Sequence, residues 1–132
     1  MNAFIIELEN RPGTIADVAE AIAAKGINIT SLAGVTCGGS GSVALLTNDE
    51  EGTRRALGTA NVSYREIEVV PASLEDRPGS FAETARRLAD AGVNIEATLP
   101  TGTSGNRVSV AFATSDAAKA RNVIGQHAGA IA

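Results

Sequence analysis

The chain contains most of itself twice. Asn10-Arg11-Pro12-Gly13 returns as Asp76-Arg77-Pro78-Gly79, and Gly26-Ile27-Asn28-Ile29 returns as Gly92-Val93-Asn94-Ile95, both 66 residues further on. Ser42-Val43-Ala44-Leu45-Leu46-Thr47 returns as Ser109-Val110-Ala111-Phe112-Ala113-Thr114 after 67, so one residue is inserted between the blocks. A period this long exceeds most solenoid units and marks a duplicated domain. The repeat divides the 132 residues into two units, expected at 1-68 and 69-132. Units this small bury only about 60% of their chain surface and gain by packing together.

Each copy reads as strand, helix, strand, strand, helix, strand. Phe4 to Leu8 is a short apolar run of strand formers, broken by the turn residues Asn10 to Gly13. From Thr14 to Lys25, Ile15, Val18 and Ile22 recur at helical spacing, and Gly26 stands where a helix-terminating glycine takes positive φ. Ile27 to Thr36 and Ser42 to Thr47 predict a hairpin around Cys37 to Gly41, and Asn48 or Asp49 suits the cap of a second helix ending near Gly58. Val62 to Val70 alternates as a strand. In the second copy Phe81, Ala85 and Leu88 mark the buried stripe, Gly92 ends the helix, Thr101 to Asn106 forms the hairpin loop, and Ser115 or Asp116 caps the last helix. The chain stops at Gly129-Ala130-Ile131-Ala132, so the last strand of this copy is expected to be short or missing. An edge left without its cover recruits partners. The β-α-β-β-α-β order predicts an α+β fold of two ferredoxin-like units, each an antiparallel sheet with helices on one face.

Composition removes several function classes. A net charge of -4 opposes binding to nucleic-acid backbones, and three Phe, one Tyr and no Trp leave few rings for base stacking. No apolar run approaches the roughly 18 residues of a membrane span. The N-terminus lacks a basic signal-peptide region, and the single Cys37 fits a reducing cytoplasm. One cysteine and one histidine, His127, supply neither a metal set nor a recurring catalytic constellation, so no metal, no cofactor and no enzymatic activity are expected.

The motifs that repeat also carry a family resemblance. A strand, an N/D-x-P-G turn, an amphipathic helix and then G-[IV]-N-I opening the next strand resembles the ACT domain, here as Asn10 to Gly13 with Gly26 to Ile29, and as Asp76 to Gly79 with Gly92 to Ile95. The resemblance covers nearly the whole chain. It implies a stand-alone tandem ACT protein that binds an amino acid or related metabolite at an interface between ACT units. It also implies a homodimer and a regulated enzyme as candidate partner. The site residues carried over are Asn10, Gly13, Thr14, Asn28 and Ile29 in the first copy, and Asp76, Gly79, Ser80, Asn94 and Ile95 in the second.

Physical chemistry supports the same turn. It delivers the chain to a helix N-terminus, where backbone N–H groups and the helix dipole favour a carboxylate. The side chain of Asn10 both donates and accepts, whereas an ionised Asp76 only accepts and suits an ammonium group. Either residue also suits holding the turn or capping the helix. The alternative function is a structural adaptor in which these surfaces mediate assembly without a ligand.

Overall fold

The computed structural model describes residues 1-125. They form six strands and four helices in the order β1 (Asn2–Glu9), α1 (Thr14–Ala23), β2 (Ile29–Cys37), β3 (Ser40–Thr47), α2 (Glu50–Ala60), β4 (Tyr64–Glu75), α3 (Ser80–Asp90), β5 (Ile95–Ser104), β6 (Arg107–Thr114) and α4 (Ala117–Gly125). The chain divides into two compact units, Asn2–Ile67 and Glu68 onward with Met1. The expected final strand of the second copy and His127 lie outside the described residues.

In the first unit the strands run in the order β2-β3-β1-β4, with β1 and β2 each antiparallel to the central β3. Alternation along β1 explains its two faces. Phe4, Ile6 and Leu8 point toward the helices, while Glu7 and Glu9 alternate with them and stay exposed. Val18 and Ile22 of α1 and Ala56 and Leu57 of α2 close over Phe4, Ile6, Val43 and Leu45 to form the core. Each such large side chain contributes roughly 1.5–3 kcal/mol on burial. The rings of Phe4 and Tyr64 meet at 5.8 Å, tilted by 53°.

The second unit repeats this plan with β6 between β4 and β5, antiparallel to both. Leu88 of α3 and Ala120 and Ile124 of α4 cover Val70, Ala72, Leu74 and Phe112. Both units are therefore ferredoxin-like α+β structures, as the repeat predicts.

Several boundaries differ from the sequence reading for identifiable reasons. Both hairpin loops shrink to two residues, because Gly38 and Gly105 take positive φ (64° and 60°) at the first turn position and let the ladders run on to Cys37–Ser40 and Ser104–Arg107. The strand read at Val62 to Val70 extends instead from Tyr64 to Glu75, so the end of the first copy and the start of the second are one strand. Helix α2 passes Gly58 and stops at Asn61, which adopts the left-handed conformation. Ile15 and Phe81, expected to face inward, are 51% and 46% exposed. Each sits in the first turn of its helix, and helix burial begins only at Val18 in α1, whereas Phe81 keeps one face on the ring of Phe112 at 5.8 Å.

Candidate functional site

The two repeated turns are built alike. The Asn10 backbone N–H donates to the carbonyl of Gly39 at 3.0 Å, and that of Asp76 to the carbonyl of Asn106 at 2.7 Å, tying each turn to the adjoining hairpin. Gly13 (φ 96°) and Gly79 (φ 90°) then lead into the helices in a left-handed conformation that a side chain would strain. At the first helical position the Thr14 hydroxyl donates to the carbonyls of Glu9 at 2.9 Å and Arg11 at 3.2 Å. Ser80 makes the matching bond to the carbonyl of Glu75 at 2.5 Å.

No side chain caps α1 or α3. The other two helices differ: Asp49 accepts from the Gly52 N–H at 2.9 Å, and Asp116 from the Lys119 N–H at 3.0 Å. Neither residue considered as a cap at the turns serves as one. The Asn10 amide instead donates to the carbonyl of Gly38 at 2.9 Å. An aspartate carboxylate has no hydrogen to donate in that way, and among the described residues Asp76 has no side-chain partner. The starts of α1 and α3 therefore keep first-turn N–H groups that no side chain covers, the arrangement that favours an anion.

In the first unit this turn borders two clefts. One, of about 470 Å³, lies between Asn10, Arg11, Thr14 and Ile15 and the strand residues Leu32 and Val43. The other, about 580 Å³, is bordered by Glu7, Glu9, Arg11 and Asp17 together with Ala60 to Ser63. The first combines an apolar wall with the uncapped helix start, the pattern expected of a small-molecule site. The second surrounds its single arginine with three carboxylates and is a poorer match for a carboxylate ligand. In the second unit the turn residues Glu75, Arg77, Ser80 and Glu83 line a hollow of about 150 Å³ with Ser73 and Arg107. Here Glu83 and then Glu75 hold the Arg77 guanidinium above its ordinary pKa through hydrogen bonds.

The structure brings together Asn10, Gly13 and Thr14, and likewise Asp76, Gly79 and Ser80. It does not bring Asn28 and Ile29 to the same place. Both β1 and β2 are antiparallel to β3, hence parallel to each other, so Ile29 pairs with Thr47 at one end of β3 and Glu9 pairs with Ser40 at the other. The eight residues of β3 separate those ends by about 23 Å. Asn94 and Ile95 stand in the matching place, with Ile95 paired to Thr114 and Glu75 to Arg107. The two asparagines act through their backbones there: the Asn28 N–H donates to Asn48 Oδ1 and the Asn94 N–H to Ser115 Oγ, both at 3.0 Å. Ile29 and Ile95 pack against the two cores. Sequence reasoning missed Leu32, whose apolar side chain at 52% exposure lines the cleft, and Val35, which borders it while its own side chain, paired with Ser42, lies on the other face of the sheet. Their signal was an uncharged strand, Ile29–Cys37, with apolar residues where solvent-facing polar ones are expected.

Solved structures with the same fold include a protein from Bacteroides thetaiotaomicron, at TM-score 0.79 and 25% identity over 95% of this chain and 86% of that one. The regulatory subunit of aspartate kinase from Thermus thermophilus, in a ligand-free form, aligns at TM-score 0.63 and 23% identity over 95% and 89%. The alpha and beta subunits of aspartokinase align at 0.63 and 21% over 93% and 88%. No curated protein matches the sequence. Within the chain itself, residues 3–59, nearly the whole of the first unit, match the family model of the ACT domain.

Proposed function

We propose that this chain is a regulatory module of two ACT copies, divided near 1-68 and 69-132, that binds an amino acid and performs no catalysis. The observation that carries the reading is the uncapped start of α1 opening on the apolar cleft beside Leu32 and Val43. The ligand carboxylate meets the first-turn N–H groups at Ile15 and Ala16, and its side chain lies against the apolar wall. Asn10 shapes the rim through its bond to Gly38. The match of residues 3–59 to the ACT domain supports the same reading.

The site is completed at an interface between the first units of two chains, in a homodimer. Strand β2 lies at the edge of its sheet and carries no charged residue, so pairing with its own copy sets no like charges face to face. The corresponding strand β5 includes Pro100, which lacks the N–H that strand addition needs. An enzyme governed by the ligand is the regulated partner, in the cytoplasm.

A thermal-shift screen against the twenty standard amino acids tests the proposal. One of them raises the melting temperature, as mass action requires for a ligand that binds only the folded chain. No shift with any of them, together with stable capture of another protein, favours the adaptor role instead.

A further inference from the structure

The proposed ligand turn exists twice, and the two versions differ in how their arginine is held. In the second unit Arg77 has all three nitrogens engaged by the protein itself. Its Nε donates to Glu75 Oε2 at 2.7 Å, its Nη1 to the carbonyl of Pro78 at 3.2 Å, and its Nη2 to both carboxylate oxygens of Glu83 at 3.0 and 3.2 Å. Arg107 lies in the same hollow, donating from Nε and Nη2 to the hydroxyl and carbonyl of Ser73, each at 2.7 Å.

The first unit has Asp17 where the second has Glu83, and Ser40 where it has Arg107. The shorter acid leaves Arg11 with one contact, from Nε to Glu9 Oε2 at 3.0 Å. Among the described residues, the Asp17 carboxylate and the two Nη atoms of Arg11 have no partner.

We infer that ligand binding is confined to the first unit, where Arg11 presents its free edge to the ligand carboxylate, because in the second unit Glu83 already occupies the equivalent guanidinium. The inference rests on the amino-acid-binding reading above. A guanidinium takes a carboxylate through paired N–H donors, so an internal carboxylate held on those donors competes directly with one arriving from solution.

Isothermal titration with the amino acid that gives the largest thermal shift among the twenty provides the test. Wild type takes up one ligand per chain. Asp17→Glu, at an exposed position, closes the first turn in the manner of the second and weakens binding about tenfold. Asp76→Asn with Glu83→Asp leaves that first site intact and adds a second ligand per chain. Two ligands per chain in wild type, or unchanged affinity in Asp17→Glu, overturns the inference while leaving amino-acid binding in place. Silence with all twenty overturns the binding reading itself, and this inference with it.

Discussion

The hydroxyls of Thr47 and Thr53 meet at 2.8 Å beneath the start of α2. Thr53 also donates to the carbonyl of Asp49 at 2.7 Å, which leaves Thr47 to donate to Thr53. In the second unit the position of Thr53 is taken by Ala120, and the buried Thr114 hydroxyl has no partner among the described residues. The same substitution therefore has opposite effects in the two copies. Thr47→Val destabilises by about 1 kcal/mol, whereas Thr114→Val relieves an unsatisfied buried hydroxyl and stabilises by about 1 kcal/mol. Urea unfolding of both variants measures the pair of signs.

Glycine is needed at Gly13 and Gly79 for backbone reasons. A Cβ at Gly13 would meet nothing within 4 Å, and one at Gly79 only a distant Arg77 nitrogen at 3.8 Å, so the penalty for alanine comes from φ alone. Gly13→Ala and Gly79→Ala each lower stability by about 1–2 kcal/mol. Gly58, within α2 and equally open, has ordinary backbone geometry, and Gly58→Ala raises stability by about 0.5–1 kcal/mol. Thermal denaturation of the three variants separates conformation from crowding.

Glu66 accepts hydrogen bonds from Arg54 and from Asn2, and these, Arg54 first, hold its carboxyl below the ordinary glutamate range. A group whose pKa is lower folded than unfolded stabilises the fold above its unfolded value, about 4.3 for glutamate, and that contribution fades as pH falls through the folded value. Because the pair is partly exposed, solvent screens it and its contribution at neutral pH is small. Glu66→Gln accordingly shows a flatter loss of stability than wild type between pH 5 and 2, read by chemical denaturation at each pH.

In the proposed homodimer, self-pairing through β2 depends on an uncharged outer surface. Val35→Lys places a charge at the 72% exposed position and brings like charges together when two β2 strands pair. Sedimentation velocity then shows monomer where wild type gives dimer, while Thr101→Lys on β5 leaves the dimer unchanged.

The fold was legible because every level of the sequence agreed on it. Gly26 and Gly92 take the positive φ (72° and 77°) that ends a helix, and Asp49 and Asp116 cap where a capping residue was expected. The site was only half legible. Asn10 and Asn28 recur in repeated motifs, but strand order decides their distance, and parallel β1 and β2 send them to opposite ends of the sheet. Helical spacing likewise identified the apolar residues of α1 and α3 without showing how far each first turn extends past the core, so Ile15 and Phe81 were placed too deep. The arginines were hidden for a further reason. Whether Arg11 or Arg77 is available depends on the reach of an acid in the next helical turn, aspartate in one copy and glutamate in the other.

Binding of an amino acid at the start of α1 is directly visible by amide NMR of the labelled chain, titrated with each of the twenty standard amino acids. One of them produces saturable shifts in the amides of Asn10 to Ala16 and of Leu32 to Thr36, with the amides of Asp76 to Phe81 little changed. Saturable shifts confined to other residues, or none with any amino acid, contradict it.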